Sequence, residues 1–124
     1  MPEIFIDTSV WVARLHGSIP LGPARLGDQE LVASTLILGE AASLVEQGRL
    51  VPESMALLLD SVRLEAPSPE DLVAAGRLHG KLRRAGNRKV SLIDCIMHQT
   101  AVRLGRPFVT RDRDLVGQAG VHLI

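Results

Sequence analysis

Glu3–Asp7 (EIFID) is a short apolar run, IFI, between two acids, the pattern of a buried strand. Thr8 to His16 continues with helical spacing until Gly17 and Pro20 interrupt it. Residues 17–29, GSIPLGPARLGDQ, hold the densest glycine and proline of the chain and predict a surface loop. Glu30–Ser34 reads as a second strand. Thr35–Gln47 places Leu36, Ile37, Ala41, Leu44 and Val45 on one helical face, with Gly48 as its stop. Pro52 suits the first turn of a helix reaching Ser61, and Val62–Ala66 alternates like a strand before Pro67. Ser68-Pro69-Glu70-Asp71 combines a cap, a first-turn proline and two acids, so a helix should run from there to Ala85 and stop at Gly86. Ser91–Leu104 predicts a further helix closed by Gly105. Arg106–Thr110 and Val121–Ile124 supply the last two strands.

About five strands alternating with helices through short connections predict an α/β fold with a mainly parallel sheet covered on both faces. In such sheets, functional groups gather beyond the carboxyl ends of the strands. Those ends are where chemistry should be sought.

Composition narrows the choice. At 124 residues the chain fits one domain, residues 1–124, and an apolar fraction of 46% supports a real core. Two Phe, one Trp and no Tyr argue against a base-stacking platform. Fourteen basic and 14 acidic side chains cancel, so no global field draws in a polyanion, and an RNA partner would need metal ions or local basic patches. The single cysteine, Cys95, rules out an intrachain disulfide and a cysteine-based zinc cluster, which agrees with a reducing cytoplasm. The start, MPEIFIDTSV, lacks the basic and apolar regions of a signal peptide, and no apolar run approaches the ~20 residues of a membrane span. A soluble, cytoplasmic protein with no membrane partner is expected.

Four acids stand at the predicted strand ends or on the helices beside them. Asp7 follows the first strand, where it serves as a helix cap, a site group or both. Glu40 has Leu36 and Leu44 one turn to either side, with Ile37 and Ala41 close by. A carboxylate there is costly unless it reaches water at the rim, is paired, or binds a cation. Asp94, in SLIDCIMHQTAV, sits where a capping box would place it, yet Leu92, Ile93, Cys95 and Ile96 surround it. Asp112 and Asp114 follow the strand ending at Thr110, in FVTRDRDLV, which alone reads as a charged turn. In a parallel sheet these acids would converge on one edge. Clustered carboxylates raise one another's pKa unless a cation compensates, and an all-oxygen set suits Mg2+ or Mn2+. The matching chemistry is phosphodiester hydrolysis by a metal-activated water. Thr8, Ser9 and Thr110 are placed to hold waters or carboxylates.

Other residues carry weaker signals. Lys81, Arg83, Arg84, Arg88 and Lys89 form either a solvated helix end or a phosphate-guiding rim next to Asp94, and Arg111 and Arg113 either contact RNA or balance the acids. The four histidines show no ligand spacing, and His98 reads as a core or surface residue. Trp11 should pack in the core or at a dimer interface, and Cys95 reads as a small buried apolar residue. A receiver-like signalling module also uses strand-end acids and Mg2+. It would need paired acids after the first strand and a lysine after the last, and here only Asp7 follows the first and no lysine follows Lys89.

Taken in order, IFIDTSVWV, LILGEAASL, VSLIDCIMHQTAVRLG and PFVTRDRDL resemble the motifs of the PIN-domain ribonucleases, and among them the VapC-type toxins of toxin–antitoxin pairs. The resemblance covers nearly the whole chain. It implies a three-layer α/β/α sandwich and Mg2+- or Mn2+-dependent RNA cleavage. It assigns Asp7, Glu40, Asp94 and Asp112 as the acidic set, with Asp114 as an additional acid and Thr8, Ser9 and Thr110 at the family's small hydroxyl positions. It also implies a homodimer and a cognate antitoxin whose C-terminal segment lies over the site. A PIN-fold nuclease that cuts DNA, or processes RNA without an antitoxin, is the alternative.

Overall fold

The computed structural model describes residues 3–17 and 30–124. Of the loop predicted over residues 17–29, all but Gly17 lies outside the described residues. The chain begins with β1 (Glu3–Ile6) and α1 (Thr8–Leu15), and continues with β2 (Glu30–Ser34), α2 (Leu36–Glu46) and α3 (Ser54–Ser61). Then come β3 (Val62–Glu65), α4 (Pro69–Arg84), α5 (Leu92–Leu104), β4 (Phe108–Thr110) and β5 (Val121–Leu123). The strands lie in the order β3-β2-β1-β4-β5, and every neighbouring pair is parallel.

This order follows from the hydrophobic pattern. β1 is the central strand, and Phe5 and Ile6 are fully buried because helices cover both faces. Right-handed crossovers carry the chain outward from β1 through β2 to β3, which puts α1, α2 and α3 on one face. The return to β4 puts α4 and α5 on the other, giving the expected three-layer sandwich. The winding reverses between β1 and β4, and that junction is the topological switch point at which open parallel sheets leave a crevice.

Two predicted boundaries shift by two residues, and the others by no more than one. β4 begins at Phe108, not Arg106, since the Arg106 N–H bonds back to the Ala101 carbonyl and closes α5, and Pro107 has no N–H to give. Gly105, with φ +67°, makes that closure possible. α3 starts at Ser54, because Val51 and Pro52 first form a tighter turn whose carbonyls accept from the N–H groups of Ser54 and Met55.

Trp11, Phe5, Phe108, Met97 and His98 fill the core. Each fully buried side chain of this size contributes about 1.5–3 kcal/mol. Trp11 is therefore a core residue. So is His98: its Nε2–H donates to the Ala119 carbonyl at 2.7 Å, its ring stands edge-on to Phe108, and burial holds its pKa below the usual value. Burial, helped by the charge of Asp94, pushes the Cys95 thiol up to about 11, so it is inert at neutral pH.

The first-turn acids of α4 hold a feature the pattern did not reveal. Asp71 is only 3% exposed. Its carboxylate accepts from the Ser68 N–H at 2.9 Å, completing a capping box, and also from the Thr100 hydroxyl and Arg103 Nε of α5. Burial alone would raise its pKa, but these bonds outweigh it and the net shift is downward. Asp71 thus fastens α4 to α5.

Asp71→Ala should destabilise the fold by about 2–3 kcal/mol, combining a lost cap with lost charge-assisted bonds. Because the folded-state pKa is lowered, this stabilisation is present above the unfolded value of 3.8 and is lost as pH falls through the folded value. Urea melts of wild type and variant should therefore differ at pH 7 and converge in strong acid.

Candidate metal and phosphodiester site

Asp7 leaves β1 in extended conformation (φ −96°, ψ 179°) and caps α1. Its Oδ1 accepts from the Val10 N–H at 3.1 Å and from the Ser9 hydroxyl at 2.6 Å, while Oδ2 accepts from the Thr110 hydroxyl at 2.5 Å. Both hydroxyls also accept. Ser9 Oγ takes the Arg111 N–H and Thr110 Oγ1 takes the Asp112 N–H, at 3.1 and 2.9 Å. One carboxylate, through two hydroxyls, fixes the backbone that leaves β4. Asp7 is thus a helix cap whose carboxylate also reaches the segment that follows β4.

Glu40 on α2 accepts from the Thr8 hydroxyl at the start of α1, which ties α2 to the end of β1. It is half-buried, so its apolar neighbours do not seal it from the site. Asp94 occupies the first turn of α5 and its N–H donates to Ser91 Oγ at 3.0 Å. Asp112 Oδ1 accepts from the Asp114 N–H at 3.1 Å, turning the chain immediately after β4.

The carboxylates act on one another. Asp94 is pushed up to about 6, chiefly by burial and then by the charges of Asp7, Asp112 and Glu40, with Ser91 opposing. Asp7 is likewise raised, by burial first and by Asp112 last, against the bonds from Ser9, Thr110 and Val10. The four acids are thus in electrostatic reach at the carboxyl ends of β1 and β4. Asp114 is raised by burial and by Asp112, with Lys89 opposing, but its charge is not among the causes acting on Asp7 or Asp94. It stands one step behind Asp112.

The acids offer only oxygen donors, the chemistry that Mg2+ and Mn2+ select, and their raised carboxyls reflect burial first and neighbouring negative charge second. Among the described residues, no three acidic, His or Cys groups stand close enough together to enclose a metal ion. Mg2+ does not require such a cage: it usually keeps several waters and takes one or two carboxylates directly.

Of the basic residues singled out, Lys89 acts on Asp114, and Arg111 adjoins Asp7 through Ser9. Arg84, Arg88 and Arg113 are exposed on the surface. One participant was missed. Asn87 donates from Nδ2 to the Asp114 carbonyl at 3.1 Å and accepts the N–H groups of Lys89 and Val90, joining the basic loop to the acidic one. Its only signal was a position beside glycine in a turn-prone stretch.

The profile of the PIN domain family matches residues 4–120. The fold is also shared with solved structures. VapBC2 from Rickettsia felis, bound to a DNA fragment from their promoter, superposes with a TM-score of 0.76 at 14% identity, covering 98% of this chain and 97% of that one. VapBC-5 from Mycobacterium tuberculosis gives a TM-score of 0.69 at 22% identity, covering 100% and 98%. VapC20 of the same organism, a sarcin–ricin loop cleaving toxin, gives 0.63 at 22% identity, covering 95% and 96%.

Two outcomes follow from the geometry. In metal-free buffer, ionising Asp94 opposes folding: its folded pKa of about 6 lies above the unfolded 3.8, so stability is lost as pH rises through that window. Asp94→Asn should melt a few degrees above wild type at pH 7–8, and the difference should vanish below about pH 4. Thr110→Val removes the hydroxyl that serves both Asp7 and Asp112. Phosphodiester cleavage should fall about 10–100-fold, with Thr110→Ser retaining most of it, as kinetics on a labelled oligonucleotide would check.

Proposed function

This chain belongs to the PIN domain family, and from that premise we propose that it is a Mg2+- or Mn2+-dependent endoribonuclease, the toxin of a type II toxin–antitoxin pair. The observation that carries the reading is the Asp94 carboxyl, raised to about 6 among Asp7, Glu40 and Asp112 at the switch point of the sheet. Burial raises this carboxyl first and the neighbouring acids add to it, and a hard divalent cation would stabilise its ionised form.

In this reading Asp7, Asp94 and Asp112 are the metal ligands, and Glu40 completes the catalytic set. A bound cation would supply an acidified water and screen the charge that builds on the phosphate. The chain does the positioning. Thr8 holds Glu40, Ser9 and Thr110 hold Asp7, and Asp114 turns the loop that presents Asp112. Arg111 and Arg113 flank that loop, and Arg84, Arg88 and Lys89 extend a basic rim that receives RNA phosphates. That local rim fits a chain whose formal net charge is zero.

The likeness in fold to VapBC proteins supports a cognate antitoxin as partner, and in this reading the working form is a homodimer. No helix among the described residues is long and apolar enough to cross a membrane.

The test is cleavage-site mapping on total RNA with Mg2+, Mn2+ or EDTA, alongside expression of the protein in growing cells. We expect discrete cuts with either metal, none with EDTA, and growth arrest relieved by the antitoxin. Asp7→Asn and Asp94→Asn should each lose more than the roughly 10–100-fold typical of a supporting residue. Cleavage that survives EDTA would overturn the metal assignment. Cleavage of DNA in preference to RNA would favour the alternative, a PIN nuclease without an antitoxin.

A further inference from the structure

A cleft of about 430 Å3 opens directly beside the acids. Thr8, Ser9 and Arg111 form its wall on the acid side, and Val12, Ala13 and Leu44 give it an apolar floor. His16, at the end of α1, and Arg49, just past α2, stand at its other side. The acid-side wall is shared with the site. The Thr8 hydroxyl that faces the cleft donates to Glu40, and the Ser9 hydroxyl joins Asp7 to the Arg111 backbone.

We infer that this cleft takes one nucleotide of the RNA strand adjacent to the scissile phosphate, and that Arg49, together with His16, selects and anchors it. The inference rests on the nuclease reading above and names where its substrate goes. A strand whose phosphate lies over Asp7 and Asp94 has its neighbouring nucleotide within one side-chain length of Thr8 and Ser9. An apolar floor accepts the face of a base, which has few polar groups on it. The guanidiniums of Arg49 and Arg111 around that floor meet the charge of the nucleotide's phosphate, since a guanidinium binds phosphate through a paired fork. Arg49 is exposed, so it is free to make that contact. The chain lacks aromatic stacking residues here, which leaves the apolar floor and the guanidiniums to hold the base.

The test separates binding from cleavage. In the full-length protein carrying Asp94→Asn, affinity for a labelled 12-nucleotide single-stranded RNA is measured at several salt concentrations. Adding Arg49→Ala should weaken binding about fivefold at 0.1 M salt and reduce the salt slope by about 0.7, the value of one lost phosphate contact on a single strand. Arg49→Lys should restore the slope, whereas Arg106→Ala, at the opposite edge of the sheet, should change neither. With Asp94 intact, Arg49→Ala and His16→Ala should raise KM more than they lower kcat and should alter the mapped bases flanking the cuts. Unchanged affinity, slope and cutting pattern in both variants would overturn the cleft assignment while leaving the nuclease reading intact. The same holds if the two variants lose only binding to an acidic peptide, since the cleft would then belong to a protein partner. If the wild type cuts no RNA, the nuclease reading fails, and the binding measurements still decide whether the cleft holds a nucleotide.

Discussion

The carboxylate of Asp7 is the hinge of the molecule. It caps α1 through Val10, and through Ser9 and Thr110 it fixes the N–H groups of Arg111 and Asp112. β1 and β4 pair only through Phe5–Phe108 and Ile6–Val109, so beyond that short ladder the two strands are tied by this carboxylate. Without it, Arg111 and Asp112 would lose the side-chain ties that hold their N–H groups to the end of the central strand. The same bonds that order the loop also lower the pKa of Asp7 against its burial, so order and ionisation are coupled in one group.

The two edges of the sheet handle charge in opposite ways. At the amino edge, Glu3 is bound by Arg106 and Arg63, at 2.7 Å in each case, and Arg63 also approaches Glu30 and Glu65. The hydrogen bonds from Arg106 and Arg63 hold the Glu3 carboxyl below its usual range. At the carboxyl edge the pKa values of Asp7 and Asp94 move the other way, chiefly because these carboxyls are buried and then because acids face acids. Since the chain has as many cations as anions, this asymmetry is a matter of placement and not of composition. The core of fully buried residues around Phe5, Trp11 and Phe108 offsets the repulsion, and the exposed pairs at the amino edge contribute little.

Much of this was legible in the sequence. Runs such as IFI and FVT announced buried strands, Ser68-Pro69 announced α4, and the spacing of acids past the strands pointed to one edge. Identical local patterns, however, end differently. Ser68-x-x-Asp71 and Ser91-x-x-Asp94 both read as capping motifs. The first closes its box and gains Arg103 and Thr100, so its acid is lowered; in the second, Ser91 takes the Asp94 N–H while the carboxylate meets other acids and is raised. The difference lies in partners 29 and 32 residues away, from α5 to Asp71, and no local window contains them. Asn87 and the cleft around Arg49 were invisible for the same reason. Each becomes meaningful only when a loop from one crossover meets the end of another.

The acids also differ in how far their chemistry can be separated from the fold. Neutralising Asp7 weakens a cap and two cross-strand ties at once, so any loss of activity there carries a structural component. Asp94 meets its helix through its own N–H and the Ser91 hydroxyl, leaving its carboxylate with little structural duty and an unfavourable charge. Under the proposed function, a carboxyl whose ionisation opposes folding is the kind of local inconsistency expected of a functional position. Asp94 is therefore the cleaner witness to what the site does, although Asp7 is the residue that builds it.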